Sequence, residues 1–119
     1  MEKKDRLDYV EFAVKDMEAT KGFYAAVFGW EFVDYGPEYA SFSEGHIDGG
    51  FSVAREPAPL GTGTLIVFYA NDIEQAIERV KANGGTISTE LFDFPGGRRF
   101  HFVDPSGNEL AVWTEPAAQ

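Results

Sequence analysis

Asp16-Met17-Glu18 is echoed by Asp72-Ile73-Glu74, and Gly29 by Gly85, both about 56 residues further along the chain. A repeat of that length is one supersecondary unit, so the second half reads as a copy of the first. In each copy the Asp follows an alternating stretch and opens a helical one.

Working outward from Asp16, Val10, Phe12 and Val14 alternate with Tyr9, Glu11 and Ala13, the period of a half-buried strand. Asp16 offers an N-cap, and Met17, Thr20, Tyr24, Val27 and Phe28 fall at helical spacing before Gly29. Alternation resumes at Trp30-Glu31-Phe32-Val33-Asp34-Tyr35, Gly36-Pro37 turns the chain, and Tyr39 to Ser43 forms a third strand. Phe51-Ser52-Val53 lies in a fourth, weaker one. The unit is β-α-β-β-β.

Arg55 to Gly63 is a turn-rich linker, and the order then repeats. Leu65 to Ala70 is a strand. Asp72 caps a helix whose Ile73, Ala76, Ile77 and Val80 form one apolar stripe, ended by Gly84-Gly85. Strands follow from Thr86 towards Phe92, from Arg98 to Val103 and from Glu109 to Trp113, with turns at Pro95-Gly96-Gly97 and Asp104-Pro105-Ser106-Gly107. The reading gives one α+β domain over residues 1–119: module one at about 7–54, a linker at 55–63, and module two at about 64–115. Together these form a cup-shaped, eight-stranded mixed sheet.

A helix covers one face of a four-stranded sheet. Val10/Phe12/Val14 and Ile66/Phe68/Ala70 are expected to face the helices. Tyr9/Glu11/Ala13 and Leu65/Val67/Tyr69 are expected to line the opposite face. Such a mixed polar and aromatic lining suits a small organic ligand; packing against a partner subunit is the alternative.

Twenty acidic residues stand against ten basic ones, a net charge of −10, which disfavours nucleic acid and anionic membrane surfaces as partners. The chain has no Cys, which excludes disulfides, thiolate metal sites and cysteine nucleophiles. The charged start, Met1 to Arg6, and the acidic interruptions after it do not form a signal peptide, and no apolar run is long enough to cross a bilayer. A cytoplasmic protein is expected.

The segments Val14-Lys15-Asp16-Met17-Glu18, Phe23-Tyr24, Phe28-Gly29-Trp30, Asn71-Asp72-Ile73-Glu74 and Phe102 to Leu110 resemble the hallmark stretches of the glyoxalase/bleomycin resistance protein/dioxygenase (vicinal oxygen chelate) superfamily. The resemblance is greatest to its small, single-domain glyoxalase-like members. It implies a paired-module fold and a homodimer, within a group that spans lyases, dioxygenases and metal-free drug-binding proteins. Metal-dependent members place one ligand on each of four strands, and the resemblance puts those positions at Tyr9, Leu65, Ala111 and near Gly49. Leu, Ala and Gly offer no donor and one Tyr cannot hold a divalent ion, so neither a metal nor another cofactor is expected; a site shifted onto His46, Asp48, Glu11, His101 and Glu109 is the alternative.

His101 and Arg99 alternate with Phe100 and Phe102 and should turn to the cup, as should Glu11 and Glu109. His101 with Glu11 or Glu109 could serve as a catalytic general base. Arg99 could hold a carboxylate or enolate oxygen. The competing role for this pair is a strand-to-strand ion pair at the rim. Tyr9, Tyr69 and Trp113 could stack on a planar ligand, beside Leu65 and Ala111, or pack in an interface. His46 reads as a turn residue or a ligand contact at the mouth, and Gly49-Gly50 and Gly96-Gly97 as turns or bulges. Two functions follow: a metal-independent small-molecule-binding protein, or a glyoxalase-like lyase or isomerase acting by proton transfer on a small carbonyl compound. A third reading spends the cup on dimerisation.

Overall fold

Asp16 and Asp72 act as their spacing predicts. Each has an extended backbone, and its carboxylate accepts the backbone N–H of Ala19 or Gln75, both at 3.1 Å. That satisfies one of the free amides in a helix's first turn. Helix α1 then spans Met17–Phe28 and α2 spans Ile73–Ala82. Gly29 closes α1 in the left-handed conformation. At the end of α2 Asn83 takes the cap position, and Gly84 rather than Gly85 is left-handed. The repeat is therefore shifted by one residue there. The computed structural model describes residues 5–116, so Met1–Lys4 of the charged start lie outside the described residues.

Strands β1 (Tyr9–Ala13), β2 (Glu31–Asp34), β3 (Tyr39–Ser43) and β4 (Asp48–Ser52) form a sheet in the order β1-β4-β3-β2. Strands β5 (Val67–Tyr69), β6 (Thr86–Phe94), β7 (Gly97–Val103) and β8 (Glu109–Thr114) form a second in the order β5-β8-β7-β6. In each, the first strand runs parallel to the fourth and the other pairings are antiparallel. Two copies of one topology make an α+β fold of two β-α-β-β-β halves. The eight strands divide into two four-stranded sheets.

Two expectations at the strand level change. Gly49 and Gly50 are not a turn or bulge but the middle of β4, paired with Val10 and Glu11 of β1. A Cβ at Gly49 would overlap the Val10 carbonyl and the Phe42 ring, so only glycine lets these strands and that ring approach. Leu65 lies before β5 rather than in it. The ladder reaches back only to the Ile66 carbonyl, which accepts the Ala111 N–H at 3.0 Å, and left-handed Gly61 and Gly63 keep the preceding segment irregular. Pro95-Gly96 is a two-residue hairpin turn, since Phe94 and Gly97 are already paired.

The helices bury their apolar stripes in one core shared by both halves. Phe12, Trp30, Phe42 and Phe51 come from the first sheet, Phe100, Phe102, Leu110 and Val112 from the second. Tyr24 of α1 lies between them, its ring 4.7 Å from Trp30 and 6.3 Å from Phe68. The Asp104–Gly107 turn locks the halves together. Ser106 Oγ accepts the Lys15 N–H and meets Thr20 Oγ1, Tyr24 donates to Asp104, and Asn108 Nδ2 donates to the Ala13 carbonyl. Burial pushes the Tyr24 phenol well up, with the Asp104 charge adding to it. No helix among the described residues is long and apolar enough to cross a membrane.

Candidate functional site

Strand alternation sets which side chains leave the core. With Phe68, Phe100, Phe102, Leu110 and Val112 packed inward, Tyr69, Arg99, His101, Glu109, Ala111 and Trp113 project from the opposite, open face. In the first half Phe12 and Val10 point inward, and Tyr9 and Glu11 outward and exposed.

The first-half cluster contains a residue that the sequence reading overlooked. The Tyr9 and Tyr39 hydroxyls hydrogen-bond at 2.5 Å, and Tyr39 donates to Glu11 Oε1 at 3.1 Å. With that proton committed to Glu11, Tyr9 is the donor to Tyr39. A Cβ at Gly50 would overlap the Tyr39 hydroxyl, so the missing side chain makes room for the pair. Burial pushes the Tyr39 phenol upward, reinforced by its bonds to Tyr9 and Glu11. The signal for Tyr39 was its alternation with Ala40 and Phe42, which face the core.

In the second half, His101 meets Glu109 and not Glu11. His101 Nδ1 lies 3.3 Å from Glu109 Oε2, which also accepts from Ser88 Oγ at 3.3 Å. Glu109 Oε1 accepts the Gly61 amide of the linker at 2.8 Å. The Gly61 amide does most to hold the Glu109 carboxyl below its ordinary range; burial opposes it, and His101 and Ser88 add to the lowering. Both side chains are mostly shielded, at 15% and 18% exposure. Ser88 was not anticipated, because a register shift in β6 obscures its facing.

One row of paired residues crosses the whole second sheet: Tyr69 opposite Trp113, Trp113 opposite Arg99, Arg99 opposite Phe92. Tyr69 and Trp113 meet edge to face at 5.2 Å, and the Arg99 guanidinium lies over the Phe92 ring at 5.7 Å. The next row holds Val67, Ala111 and His101. Leu65 stands apart from this arrangement, in the irregular stretch before β5.

A cavity of about 440 Å³ opens beside β1, walled by Tyr9 and Glu11, by linker residues including Pro57 and Thr62, and by Glu109. Its size falls in the range of small-molecule sites. Tyr69, Arg99, His101, Ala111 and Trp113 do not line it, so the expected site residues divide between this cavity and the open face of the second sheet. Glu109 joins the two. His46 sits in the β3–β4 turn, its amide held by Glu44 at 2.8 Å, and lines none of this.

The metal positions implied by the resemblance can be tested on this geometry. Gly49 points its missing Cβ at Phe42 in the core, whereas Gly50 faces the tyrosine pair, so Gly50 is the outward position on β4. Tyr9, Gly50, Leu65 and Ala111 supply one phenol oxygen between them. No group of three His, Asp or Glu among the described residues is placed to hold an ion. The residues do not fit a divalent metal.

The family model for the Glyoxalase/Bleomycin resistance protein/Dioxygenase superfamily matches residues 6–112. An anthracycline biosynthesis protein, DauV, of Streptomyces sp. (strain C5) is 29% identical over 87% of this chain and 39% of its own length. The chain thus spans about two fifths of that relative. Among solved structures, a glyoxalase-related enzyme from Fulvimarina pelagi superposes with a TM-score of 0.78 at 20% identity, over 94% of this chain and 89% of the other. The fosfomycin resistance protein FosX of Mesorhizobium loti does so at 0.76 and 22% identity, over 94% and 93%. At those identities the likeness is one of fold.

Proposed function

Since the chain belongs to the Glyoxalase/Bleomycin resistance protein/Dioxygenase superfamily, we propose that it binds a small organic molecule without a metal, on the surface running from the β1 cavity to the aromatic row. The observation that carries this is the chemistry of the four outward positions: Tyr9, Gly50, Leu65 and Ala111 cannot chelate, while the faces around them are aromatic and polar. Tyr9 and Tyr39 present a hydrogen-bonded pair at one side, and Tyr69 and Trp113 an aromatic pair at the other. Such rigid amphipathic rings lose little entropy on contact with a ligand. Calorimetric titration with Ni²⁺, Zn²⁺ and Fe²⁺ tests the metal clause. Heat too weak for a stoichiometric site is expected; tight uptake of one ion per chain overturns it.

A second reading rests on the His101–Glu109 contact. A proton on Nδ1 donated to Glu109 leaves Nε2 as the free basic nitrogen, the arrangement of an oriented general base. Glu109 would then be the positioning carboxylate, and Glu11, bound to Tyr39, would have no part. Exchange of the α-proton of small hydroxycarbonyl compounds in D₂O, followed by NMR, tests this. Exchange that disappears in His101→Ala supports the reading, and exchange no faster than buffer removes it.

A further inference from the structure

Arg99 is a cation without a carboxylate partner in a strongly acidic chain. Carboxylates outnumber basic groups two to one, 20 to 10, yet the Arg99 guanidinium has neither a hydrogen bond nor an ion pair among the described residues. Its Nε–H is buried without an acceptor, as is that of Arg79 on α2, but Arg99 also lies over an aromatic ring. Leaving such a donor unmatched carries a desolvation cost that folding alone does not require at this strand position. The side chain is instead held by aromatic neighbours, lying over Phe92 on one side and paired across the ladder with Trp113 on the other. Tyr69 continues the row beyond Trp113, and Phe92 and Tyr69 keep 37% and 47% of their surface exposed.

We propose that this row, Tyr69-Trp113-Arg99-Phe92, is the subsite for an aromatic carboxylic acid, which deepens the ligand-binding reading above and rests on it. The ring system lies against the aromatic side chains and the carboxylate bonds the guanidinium end-on through its two terminal Nη groups, since Nε is buried. Phe92 holds the guanidinium plane in place before the ligand arrives. Glu109 lies four residues along β8 from Trp113, which at the rise of a strand is about 13 Å. The Glu109 carboxylate is turned to His101 and the Gly61 amide, and the carboxylate that reaches the row, Glu115, accepts from Tyr69 at 3.5 Å, at the end away from Phe92; neither pairs with Arg99. On a surface of net negative charge, the preference for an acid must come from this one local cation rather than from long-range attraction, which is screened within about 10 Å at ordinary salt.

The experiment compares 2-naphthoate with neutral 2-naphthamide on the full chain by isothermal titration calorimetry. Naphthoate should bind about tenfold or more tightly than the amide, as a charge-assisted paired hydrogen bond would give. Arg99→Gln should erase that preference, weakening naphthoate about tenfold or more and naphthamide much less. Arg99→Lys, which keeps the charge and the stem over Phe92, serves if the first variant fails to fold; it should lose most of the preference because an ammonium cannot form the fork. Equal affinities in the unmodified protein, or a preference that survives both substitutions, overturns the acid subsite while leaving ligand binding intact. Failure of both naphthalenes to bind overturns the ligand-binding reading itself.

Discussion

Ser106 and Thr20 meet hydroxyl to hydroxyl at 2.6 Å across 86 residues of chain, joining a turn of the second half to the first helix of the first. Thr20 has no exposed surface, and Ser106 also accepts the Lys15 and Asp16 amides at 2.9 and 3.3 Å. Ser106→Ala strips the Lys15 and Asp16 amides of their shared acceptor and leaves the buried Thr20 hydroxyl without its partner. A loss of about 1–3 kcal/mol is expected in urea unfolding, the cost of an unmatched buried polar group. Thr20→Val should cost less in the Ser106→Ala background than alone, because its partner is then already gone. Strict additivity would mean that the two hydroxyls do not interact.

Gly49 and Gly50 are adjacent but guard against different things. A Cβ at Gly49 would run into the Val10 backbone carbonyl, which cannot yield without separating β1 from β4. Gly49→Ala should therefore lose more than about 3 kcal/mol, beyond the usual range for overpacking. At Gly50 the obstacles are the hydroxyl ends of Tyr39 and Tyr9, side chains that can swing aside. Gly50→Ala should fold, at a cost of about 1 kcal/mol. In alkaline absorbance titration one more tyrosine should ionise near the ordinary phenol range, since Tyr39 loses both its burial and its bonds to Tyr9 and Glu11.

That glycine pair also marks where the sequence stops being legible. Alternation at Tyr9–Val14 and the Asp16 and Gly29 signals define a strand and helix α1 closely, because caps and period are local physics. Gly49-Gly50 carry a turn's local preference but are placed in a strand by Phe42, Tyr39 and Val10, contacts distant in sequence. The outward set Arg99/His101 and Glu109/Trp113 follows from the inward set, and so was readable. Which carboxylate His101 would meet was not, since that depends on how β7 and β8 align: Val103 pairs with Glu109, and His101 two residues on reaches back to it. Likewise Asp104–Gly107 is the turn it resembles, but its role in joining the halves lies in contacts to Lys15, Thr20 and Tyr24.

The duplication gives a matched pair of helix caps. Asp16 and Asp72 each accept a backbone amide at 3.1 Å from the third residue on. Asp16→Ala and Asp72→Ala should each cost about 1 kcal/mol, as for other N-cap removals. The double variant should cost the sum to within about 0.5 kcal/mol, because the two caps share no partner. Thermal or urea unfolding of all three measures this, and a strong excess in the double variant would show that the helices depend on each other for their start.

The carboxyl of Glu109 is held below its ordinary range chiefly by the Gly61 amide, with His101 and Ser88 adding to it. A lowered folded value means that the unfolded chain binds the proton more readily. Its contribution is therefore present above the ordinary glutamate value and is lost as pH falls through the folded one. Glu109→Gln should be less stable than the unmodified protein at pH 7 and should lose stability less steeply on acidification. The two stability curves should converge once the pH is below both values. Urea unfolding across that range provides the curves. Parallel curves would show that Glu109 holds the linker through an uncharged contact only. In that case Gly61 and His101 would not be answering to a carboxylate, and His101 would have no charged group to orient it as a base.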